Sequence, residues 1–138
     1  MDRINRITNP KRSSDTVKLL YEDITSKILA ACFEVINELG SGFLESVYEK
    51  ALIIALKQSG VRATSQAPLG VFFRGENVGD FIADLIVEDK VIVEIKAVKA
   101  LAPEHQAQLI NYLKVTHIKV GLLVNFGRPK LEYKRLYG

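Results

Sequence analysis

The sequence predicts an α/β sandwich with a mixed sheet, and three observations carry the prediction. The first third of the chain repeats its apolar residues every three or four positions, as helices do. The middle third holds Ile- and Val-rich runs separated by short polar turns, as antiparallel strands do. A helix-like stretch and two more strand-like runs, one apolar and one basic, then complete an α/β order. The element order is α-α-β-β-β-α-β-β.

Residues Met1 to about Asp15 are polar and basic, interrupted by Pro10 and Ser13-Ser14. They predict a flexible basic arm, mobile or surface-lying, ahead of a single domain over residues 16–138. Arg3, Arg6, Lys11 and Arg12 suit phosphate contact or a solvated tail. From about Thr16 to Leu39 the apolar residues Leu20, Ile24, Ile28, Ala31, Val35 and Leu39 define one helical stripe. Leu29, Phe33 and Ile36 widen it, so this helix should pack on more than one neighbour. Gly40-Ser41-Gly42 ends it, with Gly40 suited to a left-handed cap. A second helix is expected from about Phe43 to Gln58, stopped at Gly60. Strands follow at Ala67 to Phe73, Val78 to Val87 and Val91 to Val98, with turns at Arg74–Asn77 and Glu88–Lys90. Pro103 fits the first turn of a helix over about Glu104 to Lys114. Lys119 to Phe126 is apolar enough to be flanked on both sides. Gly127-Arg128-Pro129 then turns the chain into a last basic strand, Lys130 to Tyr137, whose charges discourage edge pairing but leave a homodimer open.

The composition excludes some classes of protein. The 138 residues suit one domain, and 48% apolar with 25% charged residues is an ordinary globular balance. A net charge of +3 permits a polyanionic partner without requiring one. The one cysteine, Cys32, rules out an internal disulfide and sits among apolar neighbours as a structural thiol. No apolar run reaches the roughly 18 residues that span a bilayer, and the first residues lack the apolar core of a secretory signal. A cytoplasmic location is expected.

Chemistry enters at Asp80–Lys99, DFIADLIVEDKVIVEIKAVK. Asp84, Glu94 and Lys96 lie in strands that are otherwise apolar, where an unpaired charge costs several kcal/mol. Their pattern is D-x9-E-x-K. A two-residue turn would set Asp84 against Ile95; a three-residue turn, Glu88 to Lys90, sets it against Glu94 and gathers the charges on one face. We expect the latter. Two adjacent carboxylates repel, and a divalent cation resolves the repulsion. Oxygen ligands without a Cys or His cluster point to Mg²⁺ or Mn²⁺. Lys96 would neutralise a substrate phosphate or orient attacking water. An internal salt bridge among the three is the simpler alternative. Glu45, in the first turn of the second helix, suits the helix dipole by itself.

These residues resemble a known family. Asp84 with Glu94-Ile95-Lys96 looks like the PD-(D/E)XK nuclease signature, with Ala83 where the name has proline. Gly42-Phe43-Leu44-Glu45-Ser46-Val47-Tyr48 is similar to the motif of the GxxExxY proteins within that superfamily. Gln108-Leu109-Ile110-Asn111-Tyr112 resembles the Q-x-x-x-Y motif of its exonuclease-related branch, and Gly121 to Gly127 resembles the closing strand. The resemblance covers about Ile24 to Leu136. It implies a restriction-endonuclease-like α-β-β-β-α-β core with a mixed central sheet flanked by helices. It implies metal ligands at Glu45, Asp84, Glu94 and the Ile95 carbonyl, a catalytic role for Lys96 with Asp84 and Glu94, and Mg²⁺ or Mn²⁺ as cofactor. Gln108 and Tyr112 would brace the site or touch the DNA backbone. Tyr48 would reach a ligand carboxylate or pack between helix and sheet. His105 could meet phosphate from the same stripe as Gln108, or simply start its helix, and His117 belongs to a loop. The implied partner is nucleic acid, DNA ahead of RNA, with no membrane. The alternatives are a catalytically silent binding or interaction module on the same fold, and a regulatory protein whose acidic face mimics phosphate.

Overall fold

The computed structural model describes residues 20–138. The basic arm and the first residues of the expected domain lie outside the described residues. Eight elements follow in the expected order: α1 (Glu22–Leu39), α2 (Glu45–Gln58), β1 (Ala63–Phe73), β2 (Glu76–Val87), β3 (Val91–Lys96), α3 (Pro103–Thr116), β4 (Val120–Asn125) and β5 (Glu132–Tyr137). They form one five-stranded sheet ordered β1-β2-β3-β4-β5. The first three strands are an antiparallel meander, β3 and β4 run parallel across the α3 crossover, and β5 returns antiparallel on β4.

Two apolar clusters place the helices on opposite faces. Ile28, Cys32, Val35, Tyr48, Leu52 and Leu56 from α1 and α2 meet Val91, Val93 and Ile95 of β3. Leu109, Tyr112 and Leu113 of α3 meet Ile92 and Leu123 on the other side. The alternation along β3 is the period-2 rule at work. β4 is buried at every residue, as its unbroken apolar run requires of a strand covered on both faces. Cys32 is fully buried, and burial pushes its thiol up to about 12, so it stays protonated.

Several boundaries move. α1 starts at Glu22 because Tyr21 adopts a left-handed backbone, φ 57° and ψ 30°, that a helix cannot include. Gly40 has φ 72° but ψ 179°, so the positive φ is used and the left-handed cap is not. α2 begins two residues later than expected, at Glu45. β1 begins at Ala63, four residues earlier, because polar Thr64 and Ser65 pair with β2 at the sheet's outer edge. The turn joining β1 to β2 tightens to Arg74-Gly75, both at positive φ (51° and 83°), the geometry of a two-residue hairpin.

Tyr48 has a definite structural role. Its hydroxyl donates to the Gly40 carbonyl at 2.7 Å and accepts from the Phe43 N–H at 3.2 Å. Its ring stacks on Phe126 with centroids 4.7 Å apart. It meets backbone rather than a ligand carboxylate, so the packing role is the one seen. By clamping Gly40–Phe43 it holds the loop from which Glu45 enters α2. Tyr48→Phe keeps the stack and loses both hydrogen bonds in a buried place. The expected cost is about 1–2 kcal/mol, read as a lower urea midpoint at unchanged slope.

Candidate active site

The β2–β3 turn has three residues. Glu88 and Asp89 both take positive φ, and the Lys90 N–H closes onto the Val87 carbonyl at 2.9 Å. Arg62 braces it, accepting the Glu88 N–H on its carbonyl and ion-pairing with Asp89 at 3.1 Å on the exposed surface. The resulting register pairs Val87 with Val91, Ile86 with Ile92 and Leu85 with Val93. One step further it sets Asp84 against Glu94, as the three-residue turn requires.

At that step the ladder stops and side chains take over. Gln66, which would pair with Asp84 from β1, has φ 51° and drops out of the pairing, which resumes in the same register at Ala67. The Asp84 N–H donates instead to Glu94 Oε2 at 2.8 Å, and the Ile95 N–H donates to Asp84 Oδ2 at 2.8 Å. Each carboxylate therefore turns into the gap between the strands and satisfies a backbone donor that the sheet has released. Both carboxyls are pushed above their ordinary range. For Glu94 the rise is to about 7, caused first by burial and next by the Asp84 charge. For Asp84 burial again leads, opposed by the Ile95 N–H, with Glu49 and Glu45 adding repulsion.

Lys96 makes no salt bridge with either carboxylate. Its Nζ lies 3.5 Å from Gln108 Oε1, and its charge draws both carboxyls down only in part. The internal salt bridge that could have explained the triplet is not formed. Gln108 stands one turn before Tyr112, whose hydroxyl is raised by burial and then by the Glu94 and Asp84 charges. β3 and α3 thus bring Lys96, Gln108 and Tyr112 to the two carboxylates. α2 contributes from the other side: a cleft of about 510 Å³ is lined by Phe43, Glu45, Glu49, Gln66 and Asp84.

Glu49 was not singled out by the sequence analysis. It stands one turn after Glu45, and that i, i+4 spacing is the signal that could have found it. Its Oε1 accepts from Ser65 Oγ at 2.9 Å and from Gln66 Nε2 at 2.8 Å, which ties α2 to the kink beside Asp84. His105 starts its helix as a cap. Its Nδ1 accepts the Ala102 N–H at 3.0 Å at the start of α3. His117 ends that helix at φ 60°.

A second missed feature secures the chain after Lys96. Asn125 is fully buried and makes four hydrogen bonds: its amide donates to Val98 O and Glu132 Oε1, and its Oδ1 accepts from the Val98 and Gly127 N–H groups. Beside it, a Cβ on Gly127 would lie 2.1 Å from the Val98 carbonyl oxygen. No side chain fits there. Gly127→Ala should cost about 3 kcal/mol, at the upper end of overpacking effects, and displace the strand end that carries Lys96. Thermal melts read the first effect and catalytic assays the second.

The donor set suits a hard divalent cation in part. Asp84 and Glu94 present four oxygens, of which only one on each is used by a backbone N–H. Burial and repulsion from neighbouring carboxylates disfavour their charged forms, a penalty that a bound cation would relieve. Glu45 borders the same cleft and is felt by both carboxyls. Among the described residues, however, no three His, Cys, Asp or Glu side chains are drawn together as a finished ligand set.

The sequence matches the PD-(D/E)XK nuclease superfamily over residues 22–136. The chain belongs to that superfamily. The match includes every site residue just described. A solved structure titled "Crystal structure of SSO0001" superposes with a TM-score of 0.54 at 19% identity, over 90% of this chain and 64% of that one. At that identity the likeness speaks for the fold, which is restriction-endonuclease-like, with a mixed sheet flanked by helices. This PD-(D/E)XK chain spans under two-thirds of that structure's length. Among curated proteins none matches. No helix of the described residues is long and apolar enough to cross a membrane.

Proposed function

We propose that the protein is a divalent-metal-dependent nuclease that hydrolyses phosphodiester bonds in DNA. The observation that carries this is the Asp84–Glu94 pair, set opposite each other by the hairpin register with Lys96 alongside and unpaired with either. Asp84, Glu94, the Ile95 carbonyl and Glu45 would hold Mg²⁺ or Mn²⁺. Bound there, the cation supplies an activated water and positive charge for the phosphate. Lys96, steadied by Gln108, meets a non-bridging phosphate oxygen and stabilises the charge that grows on it. Gln108 and Tyr112 wall the site on the α3 side. The Gly42–Glu45–Tyr48 spacing further supports assignment to the GxxExxY branch, with Tyr48 holding the loop that presents Glu45.

The test is paired. Mn²⁺ titration by calorimetry should show binding that Asp84→Asn weakens at least tenfold. Single- and double-stranded DNA and RNA should then be assayed with Mg²⁺ and Mn²⁺. A catalytically silent binding module is the second proposal, favoured by the incompletely gathered ligand set. Metal binding without cleavage of any of the four substrates would decide for it.

A further inference from the structure

Beyond Asp84 the β1–β2 hairpin runs on past the end of β3, and its apolar side chains face solvent. Phe72, Phe73, Val78, Phe81 and Ile82 are all between 47% and 65% exposed. They alternate between the two faces of the hairpin, and of the five it is Phe81 that is turned to α3. Between this arm and α3 lies a groove of about 460 Å³, lined by Phe81, Gln108, Asn111 and Tyr112 among others. The Phe81 and Tyr112 rings are 5.9 Å apart, inclined at 49°, and form one aromatic corner.

We infer that this groove is a nucleobase subsite, and that the substrate is held with an unstacked base of a single-stranded segment against Phe81. The inference rests on the nuclease proposal and names the form of nucleic acid it takes. The groove is continuous with the proposed active site, because Gln108 reaches Lys96 on one side and borders the groove on the other. A phosphate at Lys96 therefore brings the base of its own or the adjoining nucleotide to the groove. The volume lies within the roughly 300–1,000 Å³ of sites for small ring systems. The amide of Asn111 offers a donor and an acceptor to a base edge, whereas an apolar helix would bury it unpaired. Val71, Phe81, Ala107 and Val115 make most of the groove apolar, which suits an uncharged ring rather than a second phosphate. A base stacked and paired inside a duplex cannot enter; one in a single strand can.

Binding of short fluorescently labelled strands, with Ca²⁺ replacing Mg²⁺, tests this. The strands are single-stranded DNA, the same sequence as a duplex, and an abasic strand of equal length. Phe81→Ala should weaken binding of the single strand about 10-fold, within the range of single base–aromatic stacks, and leave duplex and abasic strands unchanged. The chain has no Trp, so Phe81→Trp makes a lone reporter. It should keep single-strand affinity, with emission quenched on binding, and this variant keeps the test decisive if Phe81→Ala folds poorly. An RNA strand separates base from sugar recognition. Equal loss on all three DNA probes, no loss on any, or a change only in self-association of the free protein would overturn the subsite. Failure of the nuclease proposal looks different: wild-type protein would cleave nothing while the base-dependent binding persisted.

Discussion

Lys96→Ala should lower Mg²⁺-dependent cleavage by about 10²–10³-fold, the usual loss when one preorganised positive or donor group is taken from a growing oxyanion. The fold should survive. Lys96 is half-buried at the end of β3 and holds one long hydrogen bond, to Gln108 at 3.5 Å. Its removal takes positive charge away from Asp84 and Glu94, so both carboxyls should rise further. Metal affinity should change little by comparison, because Lys96 donates no ligand. Calorimetry with Mn²⁺ and single-turnover cleavage separate the two effects. Cleavage unchanged in Lys96→Ala would remove this residue from the chemistry and leave Asp84 and Glu94 with a cation-binding role only.

The second large effect is on stability, and its sign is opposite to that of an ordinary acidic residue. A carboxyl in an unfolded chain loses its proton near pH 4.5, whereas Glu94 in the fold holds it to about 7. Between those values the folded state binds the extra proton, so metal-free stability falls as pH rises through the window and levels off above it. At about 1.4 kcal/mol per unit the loss is about 3 kcal/mol. Melts in EDTA should therefore give a lower Tm at pH 8 than at pH 5, and Mn²⁺ should restore it at pH 8. Glu94→Gln keeps an oxygen for the Asp84 N–H and carries no charge. It should flatten the pH dependence, stabilise the metal-free protein at pH 8 by a similar amount, and bind Mn²⁺ far more weakly. A wild-type Tm that does not fall between pH 5 and pH 8 would mean that Glu94 is ionised without a counter-charge.

The elements were legible where a period was strong. The alternation of Val91, Val93 and Ile95 names a face that is buried as named. The helical stripe is buried at Ile28, Leu29, Ala31, Val35 and Ile36, whereas Phe33 and Leu39, expected on the same stripes, are exposed because no strand or helix fully covers that part of α1. The register of Asp84 against Glu94 followed from requiring that two charges share a purpose, and the three-residue turn delivers it. Boundaries were less legible, because Tyr21 and Gln66 take left-handed backbone that their residue types do not announce. Tyr48 had two roles open to it from spacing alone. Only packing on Phe126, far away in sequence, decided between them. Asn125 and Gly127 read as the end of an apolar strand, and their hold on Val98 is visible only when β3 and β4 lie side by side.

By itself the sequence determined the order of elements, the two apolar faces of the sheet and the residue types that could do chemistry. Those depend on local periodicity and on the cost of placing charge in an apolar strand. Tertiary structure alone decided that the carboxylates turn inward to cap released backbone N–H groups, that Glu49 joins Glu45 at the cleft, and that Gln108 links Lys96 to an aromatic groove. Each of these joins residues on different elements. Their distances are set by how helices and strands pack against one another, and spacing along the chain does not encode that.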